Sequence, residues 1–180
     1  MPPSVLLPST PKEGIEEGRK IFRRARRRNI RFSGWRETYF ERLTGAVELK
    51  TGREVFGPNR ILEIVQKLQT WDKDVAAALY AHTGVKRDKL RTRGAPCLQY
   101  IQFEPVAGNG LNLFAVYRSH DYFHKALGNL IGLSRVLAFA CKHSGRTAGR
   151  LTVFSIHPTA ESPKQRLKSY AAAVASSLGI

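Results

Sequence analysis

Apolar residues recur along this chain in two rhythms, and the change from one to the other outlines its elements. Ile61, Leu62, Ile64, Val65 and Leu68 follow Pro58 at the spacing of one helical face, so a helix is predicted to open at Pro58. Val75 to His82 is small and apolar and reads as a strand, although its alanines also permit a helix. The strongest local signal is a pair of apolar runs, Leu98–Val106 and Leu111–Arg118. Asn109-Gly110 between them predicts a hairpin turn. A helix from about Lys125 to His143 should end at Gly145. A buried strand from Leu151 to Ile156 and a last helix through Leu178, capped by Ser162-Pro163, complete the chain. At the other end, residues 1–13 are rich in Pro and Ser and are expected to form a mobile arm. Gly14–Asn29 places Glu16 and Glu17 first and arginines last, which complements a helix dipole and predicts a short basic helix. The order α-α-β-ββ-α-β-α, without internal repeats, predicts an α+β domain with a mainly antiparallel sheet.

Charge adds a second division to this outline. A chain of 180 residues suits one domain with a genuine core, yet it carries a net charge of +16. Nine Lys or Arg and no acidic residue fall between Arg19 and Arg36, more than half of the excess. Residues 1–36 are therefore expected to be a basic arm and helix, ahead of a domain over 37–180. Arg23, Arg24, Arg26, Arg27 and Arg28 are candidate contacts to nucleic-acid phosphates, with a solvated helix face as the bland alternative. Phe22, Phe32, Trp35, Tyr39 and Phe40 interleave with the cluster and could stack on bases or equally belong to a core. Cys97 and Cys141 lie far apart without C-x-x-C spacing, which argues against a disulfide framework or a cysteine-rich zinc site and favours a reducing compartment. No apolar run approaches the roughly 18 residues of a membrane span, and Ser4–Pro8 lacks the flank and length of a signal peptide. A cytoplasmic protein is expected.

Candidate chemistry concentrates around one thiol. Cys97 stands at the mouth of the first hairpin strand, and about twenty residues later the chain reads Tyr117-Arg-Ser-His-Asp121, followed by Asn129. A cysteine with an arginine on the neighbouring strand is the arrangement of a nucleophilic thiol; an inert core thiol is the rival reading. Cys141, inside an apolar helix, is assigned to the core. His120 and His124 are four apart and could offer two imidazoles to a metal on a helix, but no third ligand has suitable spacing, so no metal site is predicted.

Together, Pro96-Cys97, the hairpin, Arg118-Ser-His-Asp121 and an asparagine eight residues after the aspartate resemble the thymidylate synthase and deoxycytidylate hydroxymethylase superfamily. The resemblance runs from about Tyr39 to Ala160, with Ala95–Gly145 carrying nearly all of it. It implies a thymidylate synthase-like fold, a homodimer through the sheet, a pyrimidine nucleotide substrate and methylene tetrahydrofolate as the one-carbon source. By the same resemblance Cys97 would add to C6 of the pyrimidine, and Arg118 and Ser119 would hold the phosphate. Asp121 would serve the folate pterin, Asn129 would read the base edge, and His157 would bind the sugar.

The departures are equally specific. Ala76-Ala77 stand where a partner-donated arginine pair is expected, and Leu98 replaces the histidine after the cysteine. Lys125 and Leu127 replace a glycine and a proline of the folate loop, Thr159 replaces a tyrosine, and a proton-relaying glutamate is missing. Two classes of function follow: one-carbon transfer to C5 of a pyrimidine nucleotide, with or without a partner chain completing the site, or a catalytically degenerate synthase fold acting as a basic module that binds nucleic acid or protein.

Overall fold

The computed structural model describes residues 10–27, 38–48, 54–72, 79–83, 96–160 and 164–178. The arm over 1–9, Arg28, Ala76-Ala77 and the Ser162-Pro163 cap lie outside them. Helix α1 spans Pro11–Arg27, so residues expected in the arm already belong to the helix. Thr10 begins it, accepting the Glu13 N–H at its hydroxyl. Ile15 on α1 is buried in the common core, and the Arg19 guanidinium turns inward to the carbonyl of Thr44 and the carboxylate of Glu16.

Helix α2, Tyr39–Thr44, has no counterpart in the sequence reading, yet its start is written in Thr38-x-x-Glu41. The Thr38 hydroxyl accepts the Glu41 N–H and the Glu41 carboxylate accepts the Thr38 N–H, a reciprocal cap that fixes where the helix begins. Gly45 ends it at φ 74, and a Cβ there would meet the carbonyl oxygen of Gly57 at 2.2 Å, so only glycine fits. Strands β1 (Ala46–Glu48) and β2 (Glu54–Phe56) pair antiparallel. Helix α3 runs Arg60–Leu68. Its N-cap is Asn59, accepting the Leu62 N–H, so Pro58 lies just outside the helix it was expected to open.

The main sheet has the order β3-β4-β5-β7, from Tyr80–His82, Leu98–Val106, Gly110–Tyr117 and Thr147–Ser155. Its first two pairings are antiparallel, and β5 and β7 are parallel, because helix α4 (Ala126–Ser144) crosses between them. The fold is α+β with a mixed, mostly antiparallel sheet. In the β4–β5 turn the left-handed residues are Gly108 and Asn109, at φ 73 and 63. The turn therefore sits one residue earlier than expected, and Gly110 starts β5, where a side chain would strike Val106. Gly145 ends α4 as predicted.

Alternation along β5 sends Leu111, Leu113, Ala115 and Tyr117 into the core on the side of α4. In β4 a bulge between Leu98 and Tyr100 resets the alternation, so that Leu98 and Ile101 both face inward. Strand β7 is not the buried strand expected. Its inner side chains, Leu151 and Val153, pack on the core, but Phe154 is 64% exposed. Two short strands, β6 (His120–Asp121) and β8 (Pro158–Thr159), pair in parallel at the end of the sheet, and α5 (Lys164–Leu178) follows.

Candidate active site

The β4–β5 register pairs Leu98 with Tyr117, which sets the residue before β4 beside the residue after β5. Cys97 and Arg118 thus become neighbours. The Arg118 N–H donates to the Cys97 carbonyl at 2.9 Å, and its Nε donates to the Pro96 carbonyl at 3.1 Å, so the guanidinium is drawn along the Pro96-Cys97 backbone. Cys97 is half-buried and packs against the core edge.

Tyr39, at the first position of α2, joins them. Its hydroxyl oxygen accepts the N–H groups of both Cys97 and Leu98, each at 3.2 Å. Burial raises the Tyr39 hydroxyl above its ordinary value, against the lowering effect of the Leu98 and Cys97 N–H groups, and the ionisable Cys97 side chain beside it raises it further. The phenol therefore keeps its proton at neutral pH. Tyr117 meets the Tyr39 ring edge-on at a centroid distance of 6.2 Å, and burial, aided by Tyr39 and Cys97, pushes its hydroxyl far up as well.

A second group of side chains continues from Tyr117. The His120 imidazole lies flat on the Tyr117 ring, 4.2 Å between centroids and 6° between planes, and is only 2% exposed. Its Nε2 is 3.1 Å from Asn129 Nδ2, and its Nδ1 is 3.1 Å from Ser155 Oγ. Ser155 Oγ is also 3.1 Å from the Tyr122 hydroxyl. Burial lowers the His120 pKa from its ordinary 6.5, with Asp121 opposing.

Asp121 faces its own turn. One carboxylate oxygen accepts the Phe123 and His124 N–H groups at 3.1 and 3.2 Å, and the other is 3.1 Å from His124 Nδ1. Burial alone would raise this carboxyl, but those three contacts outweigh it and hold it below 3.8. The helix on which His120 and His124 could have shared a metal is absent: α4 begins only at Ala126, and each ring has its own partner. Among the described residues no cluster of three His, Cys, Asp or Glu could hold an ion.

The sequence-predicted residues therefore separate. Cys97 and Arg118 adjoin through the strand ends, and Asn129 is linked to them through His120, Tyr117 and Tyr39. Ser119 is half-buried in the turn after β5. His157 is exposed and contributes its backbone carbonyl, which accepts the His120 N–H at 3.1 Å. Arg24 is exposed on α1, whereas the side chains of Arg23, Arg26, Arg27 and Arg28 lie outside the described set. Burial raises the Cys141 thiol, with Arg146 opposing, and places it in the core as expected. The sequence reading missed Tyr39 as a partner of Cys97, His120 as a partner of Asn129, and Ser155. For Tyr39 the capping box was a usable signal; for the other two, no local spacing exists.

No protein-family model matches the chain. Among curated proteins it matches one from Methanopyrus kandleri named "Putative thymidylate synthase", at 30% identity over 122 residues. The chain is distantly similar to that protein. The matched segment is 68% of this chain and 53% of the relative, so the chain spans about half the length of the curated relative it matches. No helix among the described residues is long and apolar enough to cross a membrane.

Proposed function

We propose that this protein is a thymidylate synthase-like transferase in which Cys97 adds to C6 of a pyrimidine nucleotide and so activates C5 toward a one-carbon unit. The observation that carries this reading is the setting of Cys97. Its backbone is held from two sides, by the Tyr39 hydroxyl on its N–H and by the Arg118 N–H on its carbonyl, at the half-buried start of β4, while the Arg118 guanidinium is bonded to the neighbouring Pro96 carbonyl. In the step proposed, the sulfur forms a bond to C6 and the C5–C6 π pair moves toward C5 and the O4 carbonyl. C5 then attacks the one-carbon electrophile, its proton leaves, and re-formation of the double bond expels the sulfur. In this reading Arg118 holds the nucleotide phosphate, its Nε remaining on the Pro96 carbonyl, with Ser119 next to it in sequence. Asn129 reads the base.

The similarity implies methylene tetrahydrofolate as donor, with Asp121 toward its pterin. Asp121 does not fit that part as it stands, because both carboxylate oxygens are engaged by Phe123 and His124. We also place the second copy of a homodimer on the outer sheet face. There the register aligns His82, Tyr100, Val116 and Phe154 in one row and Tyr80, Gln102, Phe114 and Thr152 in the next, two rows without a carboxylate, lysine or arginine, while the row after them brings Glu104 beside Asn112.

The test is intact-protein mass spectrometry after incubation with 5-fluoro-2′-deoxyuridine monophosphate, with and without methylene tetrahydrofolate. A mass increase of the nucleotide, or of nucleotide plus folate, that vanishes in Cys97→Ser supports the reading. No adduct in either arm overturns it and leaves the α+β fold as a binding module.

A further inference from the structure

An amide nitrogen only donates, so the contact between Asn129 Nδ2 and His120 Nε2 has a single consistent form. Nε2 accepts, and the imidazole proton sits on Nδ1, from which it donates to Ser155 Oγ. The ring is clamped in that pose by Tyr117 on one face and by Tyr122, 4.9 Å away and tilted. The Asn129 side chain is held in turn: one Nδ2 hydrogen is committed to His120, and among the described residues no hydrogen bond is made to Oδ1.

We propose that His120 is a positioning residue that sets base specificity, by locking the Asn129 amide in one orientation so that the pocket offers a pyrimidine one fixed order of donor and acceptor. This rests on the reading of the site as a pyrimidine site. Uracil presents an acceptor at O4 and a donor at N3, whereas cytosine presents a donor at N4 and an acceptor at N3. The two edges are mirror orders, and a freely turning amide satisfies either. An amide whose nitrogen is tied to Nε2 satisfies one of them and leaves the other with two unmet groups.

The same geometry ties the selection to protonation. The groups facing the ring are Tyr117 from β5, Asp121 on its own strand, Tyr122 beyond it, Ser155 from β7 and Asn129 from α4. Of these only Asp121 is charged near neutral pH. Burial, opposed by Asp121, keeps the imidazole neutral there. Once protonated, Nε2 becomes a donor, the amide must turn its Oδ1 toward the ring, and the order shown to the base reverses.

Two measurements test this together. In the free protein at neutral pH, long-range proton–nitrogen spectra of His120 are expected to show the proton on Nδ1 and none on Nε2; the opposite tautomer overturns the proposal. By calorimetry, the monophosphates of deoxyuridine and deoxycytidine are expected to differ in affinity by about 10-fold or more, the scale of a mispaired buried polar edge. His120→Leu should bring that ratio close to one. His120→Gln, whose amide can meet Asn129 with either its carbonyl or its NH2 and does not titrate, should lower the ratio and abolish its dependence on pH. Should the leucine variant fail to fold, the glutamine variant and the wild-type pH profile carry the test. An unchanged ratio in His120→Leu, or a ratio in wild type that ignores pH below the imidazole range, overturns the selector role alone. Failure of both nucleotides to bind, with the Nδ1–H tautomer in place, overturns instead the pyrimidine reading beneath it.

Discussion

Replacing Tyr39 with Phe removes one oxygen and leaves every ring contact in place, which isolates what that oxygen does. It accepts two backbone N–H groups, those of Cys97 and Leu98. A buried donor stripped of its acceptor costs about 1–3 kcal/mol. Two such donors, discounted for water reaching a half-buried position, come to about 2 kcal/mol. For a domain of this length that is about 4–8 °C in Tm. Urea unfolding followed by circular dichroism is the assay, with the slope unchanged and only the midpoint lowered, because the surface exposed on unfolding is the same. The variant should also form the Cys97 adduct with a fluoropyrimidine more slowly, since the start of β4 is no longer anchored and the sulfur loses a nearby O–H. A stability change below about 0.5 kcal/mol, the range of an uninvolved surface substitution, would refute the account of Tyr39 as the anchor of the Cys97 backbone.

Acid should weaken the fold through two histidines and a carboxylate. Burial depresses His120 and, with Lys142 adding to it, His143, so in both cases the unfolded chain binds a proton before the folded one does. Stability is then complete above the unfolded value of 6.5 and falls as pH drops below it toward the folded values; Asp121, also depressed, adds a further loss at lower pH. Urea midpoints measured across that range check the order, and a His120→Gln variant should show a smaller first loss. Phe154→Lys, which sets a cation on the outer face of the sheet, should convert a dimer to monomers by analytical ultracentrifugation while leaving Tm within a few degrees. Neutralising Arg23, Arg24, Arg26, Arg27 and Arg28 together should flatten the salt dependence of any DNA or RNA binding, and unchanged affinity would leave these arginines without a polyanion role.

What could be read along the sequence was whatever depended on neighbours in the chain. The β4–β5 hairpin shows its alternation and its Gly-Asn turn, and α4 shows its apolar run and terminal Gly145, so both were placed within a residue or two. The strand β7 was recognised but misjudged as buried, because an apolar run does not reveal whether the outer face of its sheet is covered. Helix α2 escaped notice because six residues carry too little periodicity, although Thr38 and Glu41 mark its start. Arg19 looked like one member of a solvated basic run, yet its position on the inner side of α1 brings it to Thr44, 25 residues away. Cys97 and Arg118 could be paired from sequence since a hairpin joins them. His120 could not be matched to Ser155, 35 residues on, before the crossover through α4 was known.

That crossover gives the two halves of the site different histories during folding. Cys97 and Arg118 are brought together by a turn of three residues, a local event with little chain entropy to overcome. The His120 imidazole finds Ser155, and its backbone finds His157, only after α4 has formed and β7 has docked in parallel on β5. A nascent chain ending before Leu151 would therefore present its thiol and arginine already side by side, while the group that orients the base-reading amide still lacked its oxygen partner.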